Sequence, residues 1–499
     1  MYYMGIDCGT QGTKAVIFDA RRGIVVAKGY AKHDIIADDS GRREQDVQWW
    51  IDAMVSAVHE ALKISRVNGK DIKALAVSGQ QHGMVVLDKY GKPLRLVKLW
   101  NDTSTAAENE ALIRESGGLT GIWKLLGSTL AVGYTASKIR YIAEKEPELY
   151  RRVRHVLLPH DYITFYLTGN YVTEGSEVSG TGYYDVKNRV YSKEMIRRID
   201  PSGILEQAIP SVSSWKVPAG TLRREAAKAL GLSTDTLVAC GGGDNTMGVL
   251  GTGSIVAGRC SIGMGTSGTV ALLSPVMGTD TDQQIQIYEI LDDKWLITAC
   301  TLNATSATTV VQELFGLSVK ELDDAILAAP PGSEGVRVVQ FFDGERVPAL
   351  PAAKGFFKNL TSLNCRKENI IRSTAEGVAF VLRWGYDKII RSFPSASELV
   401  VTGGGANSAP WRQIIADVFN LTVHGLQSDE GGALGAALQA MYLHQLHIGH
   451  EKSLTELCKQ YILFDPEKET YPIPEHIEIY REIFKAYKED VKKEWGIGE

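Results

Sequence analysis

The chain has 499 residues, of which 44% are hydrophobic and 23% charged, as is typical of a globular protein. This length is too great for a single hydrophobic core, so we predict two large domains. The net charge of -5 provides no basic surface for nucleic acid, and no run reaches the roughly 18 apolar residues of a membrane helix.

Cysteine usage and the N-terminus both indicate the cytoplasm. The six cysteines are scattered and form no Cys-x-x-Cys pair, which argues against zinc, an iron–sulfur cluster or a disulfide framework. This usage fits a reducing compartment. The N-terminal residues lack the basic and then apolar pattern of an export signal.

The first predicted elements are two strands, 2–8 and 13–19, joined by the turn Gly9-Thr10-Gln11-Gly12. Asp7 lies in the first strand, just before this turn, where a carboxylate is well placed for chemistry. Further along the first half, periodicity predicts a helix over 47–61, strands over 72–77, 85–87 and 96–99, a mostly helical region over 107–145, and a strand over 156–158.

A glycine-rich segment, Gly241-Gly242-Gly243-Asp244-Asn245, follows the apolar run 237–240. Glycines at a strand end let the backbone approach a ligand closely. Asp244 then has two readings. It could be the N-cap of a short helix over 245–250, or a catalytic acid–base group. The local sequence favours neither.

The second half of the chain repeats the pattern of the opening. Strands over 260–264 and 269–273 surround the turn Gly265-Thr266-Ser267-Gly268. This repetition suggests two related lobes, and we place their boundary near 250–258, giving domains 1–252 and 253–499. Later predicted elements are helices over 370–391, 409–419 and 475–493 and a strand over 398–402.

Four glycine-rich segments in the chain suit phosphate groups or close packing. The two Gly-Thr turns offer backbone amides and hydroxyls to phosphate oxygens. Residues 403–408 lie between a strand and a helix, a geometry suited to a nucleotide, and residues 431–437 begin a helix of small residues that allows close packing. Each alone could be a plain turn, and none is a Walker loop or a Gly-x-Gly-x-x-Gly dinucleotide fingerprint. The four together, with Asp7 and Asp244, predict a phosphate-handling site.

Five motifs in chain order together resemble the signature set of the FGGY carbohydrate kinases. They are Asp7-x-Gly9-Thr10 with Lys14, Gly241-Gly242-Gly243-Asp244-Asn245, Gly265-Thr266-Ser267-Gly268, Gly344-Glu345-Arg346-x-Pro348 and Gly403-Gly404-Gly405-Ala406-x-Ser408. The resemblance runs from Met4 to about Ala437. It implies an α/β fold of two actin-like (ribonuclease H-like) lobes of the actin/hexokinase/Hsp70 superfamily with an interlobe cleft. Residues 1–252 would then bind sugar and carry catalysis, and residues 253–499 would bind ATP.

Within that family, residues 78–83 and 99–102 look most like the members that phosphorylate xylulose. The resemblance implies ATP- and Mg²⁺-dependent phosphorylation of D-xylulose at its 5-hydroxyl, with Asp244 as general base and Asp7 near Mg²⁺. It assigns sugar contacts to Gln81, His82, Asn245 and Trp100, and ATP contacts to Thr10, Gln11, Lys14, Gly265, Thr266, Ser267, Gly404, Gly405, Ala406 and Ser408. A homodimer is a further expectation from the resemblance.

Four positions bordering the expected sugar pocket depart from the usual family pattern: Gln81, Ser104, Val132 and Ser137. These departures leave the choice of sugar open, so another pentulose, gluconate or a polyol is an alternative substrate. A nucleotide switch of the actin or Hsp70 type, without sugar chemistry, is the alternative from a different functional class.

Overall fold

The computed structural model describes residues 1–278, 283–428, 430–450 and 452–497. The chain divides into two compact units. Unit 1 comprises Met1–Ile255, Ile287–Leu296 and Glu430–Ile462, and unit 2 comprises Val256–Gln286, Ile297–Asp429 and Leu463–Glu499. None of the helices formed by the described residues combines the length and the apolar character that crossing a membrane requires.

The strands of the described residues are β1 Tyr2–Cys8, β2 Gly12–Asp19, β3 Ile24–Lys32, β4 Ile36–Ala37, β5 Arg43–Gln45, β6 Ile72–Gly79, β7 Val85–Leu87, β8 Val97–Lys98, β9 His155–Leu157, β10 Val172–Glu174, β11 Tyr184–Asp185, β12 Val190–Tyr191, β13 Ser211–Ser213, β14 Gly220–Thr221, β15 Leu237–Val238, β16 Gly242–Gly243, β17 Arg259–Met264, β18 Gly268–Ser274, β19 Gln286–Ile290, β20 Lys294–Thr301, β21 Arg337–Val339, β22 Phe356–Lys358, β23 Glu398–Thr402, β24 Thr422–Leu426 and β25 Phe464–Thr470.

The helices are α1 Val47–Ser65, α2 Ala106–Glu115, α3 Gly118–Leu126, α4 Thr135–Lys145, α5 Pro147–Tyr150, α6 Pro159–Thr168, α7 Gly175–Val178, α8 Lys193–Ile199, α9 Ile204–Ala208, α10 Arg224–Leu230, α11 Asp244–Gly251, α12 Thr305–Leu314, α13 Val319–Ala328, α14 Lys367–Ile390, α15 Ala409–Phe419, α16 Gly431–His447, α17 Leu454–Tyr461 and α18 Pro474–Trp495.

The main sheet of unit 1 has the strand order β14-β15-β6-β1-β2-β3, and β16 also pairs with β6. The hairpin β1–β2 is antiparallel and places Asp7 opposite Lys14. Strand β6 runs parallel to β1, with Ser78 opposite Asp7, and β16 runs parallel to the end of β6. The loops that follow β1, β6 and β16 therefore meet at one edge of this sheet, where parallel strands commonly present a site.

The sheet of unit 2 repeats this arrangement. Strand β17 is antiparallel to β18 and parallel to β23, and β23 is parallel to β24. A hairpin followed by parallel strands thus occurs in both units. This repetition confirms the predicted actin-like fold class, and the hairpin turns lie where the glycine and threonine pattern predicted them.

Most predicted elements are confirmed, including the mostly helical region 107–145. It forms three helices, α2, α3 and α4. Gly117 and Gly127 flank α3 with φ values of 85° and 64°. These left-handed conformations favour glycine and end a helix, so the two glycines separate α3 from α2 and from α4.

Helix α16 packs directly against the two elements that carry the candidate acids. A Cβ added to Gly5 of β1 would overlap the carbonyl oxygen of Ala433 in α16. A Cβ added to Gly435 of α16 would in turn overlap the carbonyl oxygen of Met247 in α11. The sequence predicted close packing from the small residues of this helix. They allow its backbone to contact the backbones of β1 and α11 directly.

We expect Gly5→Ala to lower the stability of the protein by about 3 kcal/mol or more, because the new methyl group must displace helix backbone and not a flexible side chain. The measurement is the midpoint of urea unfolding. Gly248→Ala is the matched control, since an added Cβ there has no atom within 4 Å and the position is helical. Its midpoint should stay constant or rise. Equal midpoints for Gly5→Ala and the wild type would contradict the packing argument.

Candidate active site

Asp7 lies near the C-terminal end of β1, and its carboxylate is partly buried. Its Oδ1 accepts a hydrogen bond of 2.7 Å from the Ser78 hydroxyl on the neighbouring strand. A Cβ added to Gly432 would lie 3.0 Å from the carboxylate, so the start of α16 also approaches it closely. Burial raises the pKa of the Asp7 carboxyl, while the Ser78 hydrogen bond and the charge of Lys14 act to lower it. The group is thus a carboxylate held in a fixed orientation.

Lys14, predicted as an ATP contact, forms an ion pair in the structure. Its Nζ lies 2.7 Å from Oε2 of Glu430, and Lys28 approaches Oε1 of the same carboxylate at 3.1 Å. Sequence reasoning missed Glu430, which follows Lys14 by more than 400 residues. Its position just before the glycine-rich segment 431–437 was the only signal.

The turn after β1 is fixed by a network of polar side chains. The Thr10 hydroxyl donates to Oε1 of Gln80 at 3.2 Å and accepts from Nε1 of Trp100 at 2.9 Å. Nε2 of Gln45 donates to the Thr10 carbonyl at 2.7 Å, and its Oε1 accepts from Gln80 at 2.8 Å. Trp100 is 39% exposed and is therefore not a core residue. Gln11, in the same turn, is exposed.

Asp244 is the first residue of α11, and Gly243 occupies the N-cap position. The N-cap reading of Asp244 is therefore wrong, although the carboxylate does accept a 2.7 Å hydrogen bond from the backbone N–H of Asn245. Burial, followed by the negative charge of Asp7, raises the pKa of Asp244 to about 7, against the opposing effect of that hydrogen bond. A carboxyl with this pKa exchanges protons readily near neutral pH.

Gln81 and Asn245 contact each other beside this acid. Nδ2 of Asn245 donates to Oε1 of Gln81 at 2.8 Å, and a Cβ on Gly243 would overlap the Gln81 side chain. Gln81 is 3% exposed, and its Nε2 has no hydrogen-bond partner among the described residues. A buried amide donor without a partner is uncommon in folded proteins and indicates a place where a ligand oxygen could bind.

His82 is held in an unusual conformation. Its φ of 63° is left-handed, and its ring packs against the rings of Tyr134 and Tyr288 at centroid distances of 4.5 Å and 6.4 Å. Its carbonyl accepts hydrogen bonds of 3.2 Å from both the Thr135 hydroxyl and the Nζ of Lys138. Burial lowers the pKa of Lys138 to about 7. A strained residue kept in place by its surroundings is typical of a functional site.

In unit 2, the two predicted nucleotide segments lie side by side. Thr266 and Ser267 are exposed in the turn between β17 and β18. Gly403, with φ 86°, follows β23, and an added Cβ would lie 2.7 Å from the carbonyl of Met264, just before the turn at Gly265. The structure thus brings together two segments that are well separated in sequence.

The remaining predicted residues of unit 2 continue from Gly403. Residues 404–407 form a 3₁₀ turn, in which Gly404 is exposed and Gly405 and Ala406 are buried. The Ser408 hydroxyl caps α15 by accepting from the Trp411 N–H at 3.2 Å, and it donates to Asp323 at 2.5 Å. Ser408 therefore has a structural role in shaping this segment.

Comparison with known proteins identifies the family. The N-terminal domain of the FGGY family of carbohydrate kinases matches residues 2–251, and its C-terminal domain matches residues 262–444. The chain belongs to the FGGY family of carbohydrate kinases. The resemblance drawn from the five motifs is thereby confirmed.

Relatives of this FGGY kinase extend over nearly its whole length. The xylulose kinase of Haemophilus influenzae is 38% identical over 489 residues, covering 97% of this chain and 98% of that protein. The crystal structure of xylulose kinase from Bifidobacterium adolescentis is 28% identical with a TM-score of 0.81, covering 97% of this chain and 99% of that chain. A gluconate kinase from Lactobacillus acidophilus has a TM-score of 0.90 at 23% identity, covering 99% and 97%, which shows a shared fold alone.

Proposed function

We propose that this FGGY kinase transfers the γ-phosphoryl group of ATP to the 5-hydroxyl of D-xylulose. The observation that carries the proposal is the grouping of Asp244, with its pKa near neutrality, and the unpartnered amide donor of Gln81 around Asn245. The choice of xylulose is supported by the relative that is 38% identical over nearly the full length and is named a xylulose kinase.

In the proposed mechanism, Asp244 accepts the proton of the attacking hydroxyl as that oxygen approaches the phosphorus atom. A base with a pKa of about 7 is largely ionised at slightly alkaline pH and still basic enough to take the proton. Gln81 donates from Nε2 to a sugar oxygen, and Asn245 keeps the Gln81 amide turned toward that oxygen. Phosphoryl transfer depends mainly on such positioning and on charge stabilisation.

Asp7 is the residue that we propose to hold Mg²⁺. Among the described residues no group of three or more His, Cys, Asp and Glu side chains could enclose a metal ion. A single carboxylate nevertheless suits Mg²⁺ in kinases, because phosphate oxygens and waters complete its shell. Ser78 fixes one carboxylate oxygen of Asp7, and Lys14 favours the ionised form. When bound, the ion neutralises phosphate charge.

The Gly-Thr turn of each unit is a proposed phosphate contact. In unit 1 the proposed residues are Thr10, Gln11 and Lys14. In unit 2 they are Gly265, Thr266 and Ser267. Thr266 and Ser267 are exposed, so their hydroxyls are available to a ligand. The backbone of Gly404, Gly405 and Ala406, together with Ser408, would line the adenosine.

The proposed role of Asp244 has a pH signature. We expect kcat/KM for the sugar to fall about tenfold for each pH unit below about 7, because only the ionised carboxylate accepts a proton. The measurement is the pH profile of initial rates from pH 5.5 to 8.5, with circular dichroism to confirm that the fold persists. A profile that stays flat down to pH 5.5 would contradict the assignment.

A sugar panel in an ADP-release assay tests the proposed substrate. The panel contains D-xylulose, D-ribulose, gluconate and glycerol, because the gluconate kinase of the same fold shows that architecture does not decide the sugar. We expect kcat/KM to be at least about tenfold higher for xylulose, the discrimination that a few polar contacts provide. Activity on xylulose no better than on glycerol would overturn the proposal.

Thermal shift measurements separate the kinase from a nucleotide switch. A sugar kinase should be stabilised by xylulose without nucleotide, because a ligand that binds the native state raises the unfolding temperature. A switch should respond to ATP only. Stabilisation by nucleotide and by none of the four sugars would therefore favour the switch.

A further inference from the structure

The loop that carries Asp244 is attached to α16 by a pair of hydrogen bonds. Oε1 of Gln439 accepts from the backbone N–H of Gly241 at 3.0 Å, and Nε2 of Gln439 donates to the Gly241 carbonyl at 2.8 Å. One side chain thus satisfies both polar backbone groups of a single residue. Gln439 is fully buried, so water does not compete for either bond.

Gly241 is also enclosed by other parts of unit 1. Its φ of 80° is left-handed, and a Cβ there would overlap the carbonyl oxygen of Val77 and lie 2.8 Å from Cδ2 of His160. Because neighbouring atoms surround Gly241 so closely, its backbone has few other conformations available. The Gln439 bonds hold the residue at the start of the segment that ends, three residues later, at Asp244.

The same helix reaches the other acid. Gly432, in its first turn, approaches the Asp7 carboxylate, and Gly435 packs on the backbone of Met247 in α11. Helix α16 therefore contacts the surroundings of Asp7 at one end, and the Asp244 loop through Gln439, two turns further along.

We propose that Gln439 is a positioning residue that fixes Asp244 for proton transfer through its two bonds to Gly241. The inference rests on the proposed role of Asp244 as the base. Gln439 does not titrate and is fully buried, so its proposed contribution is to geometry. A displacement of about 1 Å at the reacting group can cost 10²-fold in rate.

The test compares Gln439→Met, which removes both bonds at similar volume, with Gln445→Met on the same helix. Gln445 makes no side-chain bond to the catalytic loop among the described residues. We expect kcat of Gln439→Met to fall about tenfold, with KM for sugar and ATP within twofold of the wild type, and Gln445→Met to retain full kcat. A folded Gln439→Met with kcat within twofold of the wild type would overturn the proposal.

Hydrogen exchange provides a second readout that does not depend on the sugar. Amides of residues 241–245 should exchange faster in Gln439→Met than in Gln445→Met, and equal rates would also overturn the proposal. Failure of the wild type to phosphorylate any sugar would refute the proposed function and leave this readout intact.

If Gln439→Met does not fold, Gln439→Asn replaces it. The amide of asparagine is one methylene shorter, so it cannot make both the 3.0 Å bond to the Gly241 N–H and the 2.8 Å bond to the Gly241 carbonyl unless the loop moves. We expect a smaller loss of kcat, about threefold, because an amide remains beside Gly241. Wild-type kcat in this variant would count against the proposal.

Discussion

Asp244→Asn should lower kcat by about 10²- to 10⁴-fold, the usual contribution of a positioned general base. The amide has nearly the same shape as the carboxylate, and its oxygen can still accept the hydrogen bond from the Asn245 N–H. It cannot take up the proton of the sugar hydroxyl. The measurement is steady-state kcat in the ADP-release assay, with calorimetry to show that xylulose and ATP still bind.

The control for this variant is Asp235→Asn, an exposed aspartate shortly before the catalytic loop whose carboxylate is 3.3 Å from the Ser233 hydroxyl. It should retain wild-type kcat. Turnover of Asp244→Asn within fivefold of the wild type would show that the carboxylate is not the base. Loss of sugar binding together with turnover would instead assign Asp244 to binding.

Asp7→Asn is expected to reduce kcat/KM for MgATP by at least about 10²-fold, because the only carboxylate proposed to hold the ion becomes neutral. The measurement is kcat/KM for ATP over a series of Mg²⁺ concentrations. The variant should need more Mg²⁺ to reach half of its maximal rate. Removing the charge of Asp7 should also move the acidic limb of the pH profile to lower pH, since that charge raises the pKa of Asp244.

Ser78→Ala is the matched control for Asp7→Asn. It removes the 2.7 Å hydrogen bond to Oδ1 and leaves the carboxylate in place, so the loss of kcat/KM should be much smaller. Retention of wild-type activity and Mg²⁺ dependence by Asp7→Asn would exclude Asp7 from the site. An equal loss in the two variants would indicate that orientation, not charge, is what Asp7 contributes.

The local parts of the fold were predictable because their signals lie close together in the sequence. Strand β23 and helix α15 begin and end at the predicted residues, 398–402 and 409–419. The Gly-Thr turns were also recognisable, since short polar loops between apolar strands favour hairpins. Asp7 lies in β1 and Asp244 follows β16, two strands that both pair with β6, which explains why the charge of Asp7 acts on Asp244.

The contacts that orient the site were not predictable, because they join residues hundreds of positions apart. Nothing next to Lys14 points to Glu430, and nothing next to Gly241 points to Gln439. Such pairs are decided by how α16 packs on β1 and α11, which is a tertiary property. His82 was predicted from its motif, but its left-handed backbone and the bonds from Thr135 and Lys138 to its carbonyl were not.

The membership of α16 in unit 1 has a consequence for synthesis of the chain. Residues 430–462 complete the unit that begins at Met1, although about 175 residues separate them from Ile255. Until the ribosome has released this helix, Gly5 of β1 and Met247 of α11 lack their packing contacts with it. The backbone N–H of Gly241 also lacks its hydrogen-bond partner Gln439. The geometry of the two acids is therefore among the last features that a nascent chain acquires, and premature termination before residue 430 leaves both acids in an unfinished unit.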